Sequence, residues 1–228
     1  MKKLLLILIL LLPISGYCAE VDYYTETTAI VQVRSIINEA SESFWTDVEL
    51  AAWISEAAQD LSARTLCVQK TADVSLLTDT VEYATEDYTI KIIGAYYVAP
   101  DIEGVAQGYI GLKRINFNQI ADLPHMTPGQ PKYFYRYSED GSGKIGIMPL
   151  PTATENAQIV KVIYAAQTND IADIPQLYQS ATFWYAAAMA FKKEHRNAES
   201  DKFYTMYLQK INSLRGDQDD IKTETSSK

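Results

Sequence analysis

Phe44-Trp45-Thr46-Asp47-Val48-Glu49-Leu50 is the stretch that settles how this chain is built. A threonine followed three residues later by glutamate forms a capping box. Its hydroxyl oxygen accepts from the amide of Glu49, while the glutamate carboxylate accepts from the amide of Thr46. Trp45 before the cap and Leu50 after it are placed as a hydrophobic staple, which fixes the angle at which the chain enters a helix. Behind this start, Leu50, Trp53, Ile54, Ala57, Ala58 and Leu61 recur at helical spacing as one apolar stripe. Ser55, Glu56, Gln59, Asp60 and Arg64 fall opposite and should face water or a neighbouring subunit.

Upstream, Ile30, Val33, Ile37 and Ala40 predict a first helix over residues 28–40, which pairs with the capped one. Downstream the period changes toward two. Residues 74–77, 80–84 and 89–98 read as strands, broken by Thr-Asp, Glu-Asp and Gly. Residues 112–120 read as a short helix, since Leu112, Ile115, Phe117 and Ile120 do not alternate strictly. A hairpin follows, with strands over 132–137 and 144–148 about the turn Glu139-Asp140-Gly141-Ser142-Gly143, and then a strand over 158–165. Pro175 suits the first turn of a closing helix with Leu177, Ala181, Trp184, Ala188 and Phe191 as its stripe. Its partner starts at Asn197, carries Phe203, Met206, Tyr207, Ile211 and Leu214, and has Gly216 placed as a stop. The expected fold class is α+β: a helical bundle formed by N-terminal and C-terminal helix pairs, with an inserted antiparallel β-rich region. In residue terms, this puts helices within 28–66, strands within 73–165, helices within 174–215 and a flexible polar tail over 217–228.

Composition narrows the function. The 228 residues are 47% hydrophobic and 21% charged, enough to bury a core. Sixteen tyrosines join apolar rings to water-tolerant hydroxyls, a composition that serves both protein interfaces and β-rich cores. The formal charge is −9, and no lysine–arginine stripe appears, which excludes lasting attachment to a nucleic-acid backbone. The run Lys192, Lys193, His195, Arg196 lies at a helix end, where cations complement the carbonyl dipole.

Chemistry-bearing patterns are missing. His125 and His195 are the two histidines and Cys18 and Cys67 the two cysteines, far apart and without zinc or nucleophile–base spacing. Gly141-Ser142-Gly143-Lys144 joins two strands and lacks the full phosphate-loop pattern. No catalytic, cofactor-binding or metal-ligating residue is therefore assigned. At the start, Lys2 and Lys3 precede the apolar run from Leu4 to Leu12, then Pro13, Gly16, Cys18 and Ala19, which makes residues 1–19 a signal-peptide-like segment. At face value that segment predicts export and cleavage near Cys18 or Ala19. The corresponding alternative is an exported periplasmic or envelope binding protein without catalytic activity.

Several local signatures occur together in one order. They are the Phe-Trp-Thr-Asp-x-Glu-Leu cap with Arg64-Thr65 at the helix end, Gly129-Gln130-Pro131-Lys132-Tyr133-Phe134, Ile147-Met148-Pro149-Leu150-Pro151, Val162-Ile163-Tyr164, Tyr185 with Ala186 to Ala188, and Phe203-Tyr204-x-x-Tyr207. Over residues 28–216 this order resembles the head-to-tail adaptor, or connector, proteins of tailed bacteriophages. The resemblance implies a virion structural protein at the head–tail junction, in a homo-oligomeric ring, usually dodecameric. The implied partners are the portal protein and a tail or nozzle protein, with DNA passing through the lumen during ejection and no lasting membrane contact. Family adaptors often grip a neighbour with a terminal segment, which makes Arg215, Asp217, Asp219, Asp220, Ile221 and Lys222 the candidate partner interface.

Overall fold

The structure is a computed structural model that describes residues 24–42, 44–99, 108–120, 126–139 and 142–225. The apolar segment 1–19, His125 and the turn residues Asp140 and Gly141 lie outside the described residues. Among the described residues four helices, α1 (Glu26–Ile37), α2 (Asp47–Thr65), α3 (Gln176–Lys193) and α4 (Asn197–Thr225), flank eight strands in two sheets, an α+β fold.

The capping box at Thr46 forms as read: Glu49 N donates to Thr46 Oγ1 at 3.2 Å and Thr46 N to Glu49 Oε2 at 3.1 Å. A second box precedes α1, where Thr25 and Thr28 exchange the equivalent bonds and start the helix two residues before the sequence reading. Trp45 and Leu50 are both buried, in one cluster with Ala29, Val33, Ile37 and Ile54 from the first two helices and Phe183, Ala187 and Ala190 from α3. The Trp45 indole Nε1 also donates to Ala190 O at 3.3 Å. Each large side chain buried in this way contributes about 1.5–3 kcal/mol relative to exposure.

Helix α3 keeps most of the expected stripe, with Ala181, Ala188 and Phe191 buried and Trp184 packed against the cluster that holds Ala181, but it loses Leu177 and buries residues outside the stripe. Leu177 is 65% exposed, while Gln179, Thr182, Phe183 and Ala187, off that stripe, are buried. Its small residues admit neighbours on several sides, with α1 and α2 on one and α4 on another. Buried Gln179 survives because both ends of its amide are used: Nε2 donates to Ile171 O at 3.0 Å and Oε1 accepts from Tyr24 N at 3.3 Å. Pro175 stands at the N-cap, one place ahead of the first turn.

The first sheet has the order β1 (Gln69–Ser75), β8 (Ile159–Ala166), β3 (Thr89–Val98), β4 (Tyr109–Gly111), antiparallel throughout. The second has the order β2 (Glu82–Ala84), β7 (Ser142–Met148), β6 (Tyr133–Glu139), β5 (Lys113–Arg114), with β5 parallel to β6 and the other pairs antiparallel. Ile92, Ala95, Tyr97, Val160 and Val162 of the first meet Phe134, Ile145 and Ile147 of the second in a shared apolar core. Along β8 the same alternating set continues to Tyr164 and Ala166, which pack on α2, α3 and α4 and so join the sheets to the helices.

Two expectations are corrected. Residues 112–120 are not a helix: they give β5 and a 3-10 turn at Phe117–Gln119, because Lys113 N donates to Lys132 O and Ile115 N to Phe134 O across the sheet, which overrides the local spacing. Helix α4 does not stop at Gly216 and runs to Thr225. A helix-interior glycine costs about 1 kcal/mol but does not forbid the helix, and no proline follows it.

Candidate interaction surfaces

The best-built polar site lies where α1 turns into α2. Arg34, 6% exposed, donates from Nη2 to Asp47 Oδ1 at 2.6 Å and from Nε to the same oxygen at 3.0 Å. It also reaches Trp45 O at 3.1 Å and Glu39 Oε2 at 3.4 Å. A buried guanidinium needs such a set, because an unpaired one would carry its full desolvation cost. Beside it Val31, Phe44 and Val48 are exposed at 60, 52 and 78%. The Lys193 ammonium lies 5.2 Å from the Phe44 ring centre and donates to Glu49 Oε1 at 2.5 Å, which holds that carboxyl below the usual glutamate range. The tip of this corner is thus an apolar patch on a rigid polar base.

A second arrangement pins α4. The hydroxyl of fully buried Tyr207 donates to Asp60 Oδ2 at 2.6 Å, and Arg64 Nε donates to Asp60 Oδ1 at 2.7 Å. Tyr185 packs edge-on to Tyr207 with ring centres 5.2 Å apart. Burial first, then the neighbouring carboxylates, push both phenols well above the ordinary tyrosine value. Asp60, expected to face water or a neighbouring subunit, instead accepts from Tyr207 and holds α4 to α2. Neither this pairing nor that of Arg34 with Asp47 was visible in the sequence, since each joins residues through packing, 147 and 13 positions apart.

The candidate interface residues Arg215, Asp217, Asp219, Asp220, Ile221 and Lys222 all fall on the last part of α4, where the structure describes the backbone and not the side chains. The pairs Phe191–Phe203, Ala188–Ser200 and Tyr185–Tyr207 show α3 and α4 running antiparallel. Since α4 has 29 residues against 18 in α3, these six positions run past the end of α3. At 1.5 Å per residue, α4 spans about 43 Å and α3 about 27 Å.

Among the described residues the sandwich side carries the other large exposed apolar side chains: Leu77, Tyr88, Ile93, Tyr96, Tyr109, Ile110 and Phe117. Among the described residues no group of three or more His, Cys, Asp and Glu is placed to hold a metal ion, and no helix is long and apolar enough to cross a membrane.

Comparison with known families matches residues 24–227 to the SU10 adaptor protein family. The chain belongs to that family. It is thereby a structural adaptor of a bacteriophage-type particle, which agrees with the resemblance drawn from the order of its motifs. No curated protein matches. Among solved structures, the neck of an empty GTA particle computed with C6 symmetry is similar at 12% identity, over 69% of this chain and 74% of that one, with a TM-score of 0.28.

Proposed function

We propose that this adaptor assembles as a homo-oligomeric ring, dodecameric by family resemblance, between the portal protein and a tail or nozzle protein, and that DNA passes through its lumen. The observation that carries the reading is the adaptor-family match across nearly the whole described chain. The charge balance supports it: an acidic protein lets DNA slide past without a backbone-neutralising grip. The projecting end of α4, with Arg215, Asp217, Asp219, Asp220, Ile221 and Lys222, is the segment we assign to the portal.

Mixing the protein with portal and imaging the product should show rings that the adaptor alone does not form. Deleting residues 217–228 should leave the melting temperature within error and weaken portal attachment, because positions 217–225 of α4 run past the end of α3. Equal portal binding by truncated and full chains would move the docking surface to the helices or the sandwich.

A further inference from the structure

The sandwich ends in two unlike sides. On the first, the terminal strands of the two sheets, β1 and β2, both border a slot of about 220 Å3 whose floor includes Ile92, Ile145 and Val162. Val68 O accepts from Ala166 N and Leu76 N donates to Gln158 O, so the alternation of an antiparallel ladder turns the peptide groups of Gln69, Thr71, Asp73 and Ser75 away from β8. Val81 O and Thr85 N bond toward β7, which leaves those of Glu82 and Ala84 turned outward. This open side is acidic. Asp73 and Glu82 have distant partners, Lys161 at 3.6 Å and Lys144 at 3.9 Å, while Glu86 and Asp87 have no cation within ion-pair distance among the described residues.

The opposite side is formed by the other terminal strands, β4 and β5. There Tyr109 and Ile110 are 61 and 42% exposed, and Lys113, Arg114 and Lys132 are exposed with no acid in ion-pair reach among the described residues. One side therefore has a slot with an apolar floor and an acidic rim, and the other has apolar side chains with a basic rim. Among the described residues each of these four strands has a sheet partner on one side alone, and strand edges of that kind invite pairing with another chain. The slot is smaller than the roughly 300 Å3 at which pockets begin to enclose an ordinary ligand, and fits one large side chain.

We infer that the β4–β5 side of one copy seats on the β1–β2 side of the next. Tyr109 or Ile110 enters the slot, and Lys113, Arg114 and Lys132 face Asp73, Glu82, Glu86 and Asp87. Two different surfaces meeting head to tail give a heterologous contact, the kind that closes into a ring. This rests on the ring reading above and names the surfaces that make the ring.

The test uses the full chain. Zero-length carbodiimide cross-linking of the protein at high concentration, and of portal-bound assemblies, should join peptides bearing Lys113 or Lys132 to peptides bearing Asp73, Glu82, Glu86 or Asp87 of another copy; mixing isotopically labelled and unlabelled chains identifies such links. E82K/E86K and K113E/R114E should each lose these links and self-associate roughly tenfold more weakly, whereas an equimolar mixture of the two should recover association, since opposite charges again meet. Circular dichroism should show both variants folded. Undiminished association of either variant alone, no recovery on mixing, or intersubunit links confined to other surfaces would overturn the inference. Rings on portal with links elsewhere leave the adaptor reading standing, while failure to bind portal with the links present would sink that reading alone.

Discussion

The helical part and the sandwich meet the same problem, polar groups brought out of water, in opposite ways. In the helices each buried polar group has a partner inside the chain: Arg34 on Asp47 and Trp45 O, Gln179 between Tyr24 N and Ile171 O, and Ser62 Oγ accepting from Thr168 N at 3.2 Å. In the sandwich the terminal strands leave backbone groups turned outward beside an apolar slot. A closed region of this kind serves as scaffold. An open one is where a neighbour can exchange bonds to water for bonds to protein, which is why the proposed contacts are placed on the sheets and on the end of α4.

The largest effect should come from the closed region. Trp45→Ala empties the contact among α1, α2 and α3 and removes the bond to Ala190 O, and it should cost about 3–5 kcal/mol in chemical unfolding. A loss below about 1 kcal/mol would mean that the site collapses freely and is not the tightly packed junction described.

Gly146→Ala probes how tightly the outer face of the second sheet is built, since Gly146 lies between the core-facing Ile145 and Ile147 and a Cβ there points away from the shared core. A Cβ on Gly146 would lie 1.9 Å from Cζ of the Tyr135 ring, which packs across β7 at this point. Displacing a ring that is 4% exposed should cost about 1–3 kcal/mol, measured by thermal or denaturant unfolding. A neutral substitution would show the ring to be loosely held on that face.

Thr46→Ala removes the cap oxygen and should cost about 0.5–2 kcal/mol. Assembly should fall only as far as stability does. An unchanged melting temperature with lost assembly would make this corner, with exposed Phe44 and Val48, an interface and not scaffold.

What the sequence made legible follows from range. The Thr46 box, strand β3 at Thr89–Val98 and the start of α4 at Asn197 depend on neighbours a few residues away, and all three appear where they were read. Residues 112–120 failed because the partner that decides them, β6, lies some twenty residues on. The stripe assigned to α3 was incomplete because alanines carry no preferred direction, so periodicity could not reveal a helix covered on several sides. The acidic and basic sides of the sandwich were invisible for the same reason: Lys113 and Glu82 occupy opposite ends of one sheet only after β6 and β7 come between them. The candidate interface residues on α4 were proposed from sequence, but the extra length that carries them past α3 was not legible there.

Tyr207→Phe is the mildest test and the sharpest on mechanism. It keeps the ring in its cluster and removes the hydroxyl that reaches Asp60, at a cost of about 0.5–1.5 kcal/mol. The cost is small because Asp60 keeps Arg64 and its side chain is 29% exposed, so water can take the vacated place. The pH dependence separates this bond from simple packing. The folded-state pKa of Tyr207 is raised above the ordinary 10.0, since burial and then the Asp60 carboxylate disfavour the phenolate. Its contribution is therefore complete below pH 10.0 and is lost as pH rises from there toward the folded-state value, because the unfolded chain releases the proton first. Unfolding measured from neutral pH to above pH 10 should show a shallower alkaline loss in the variant than in the parent, with the remainder carried by Tyr185, which is shifted in the same direction. Identical alkaline slopes would show that Tyr207 ionises as freely in the folded protein as in the unfolded chain, and that Asp60 holds α4 through Arg64 and packing alone.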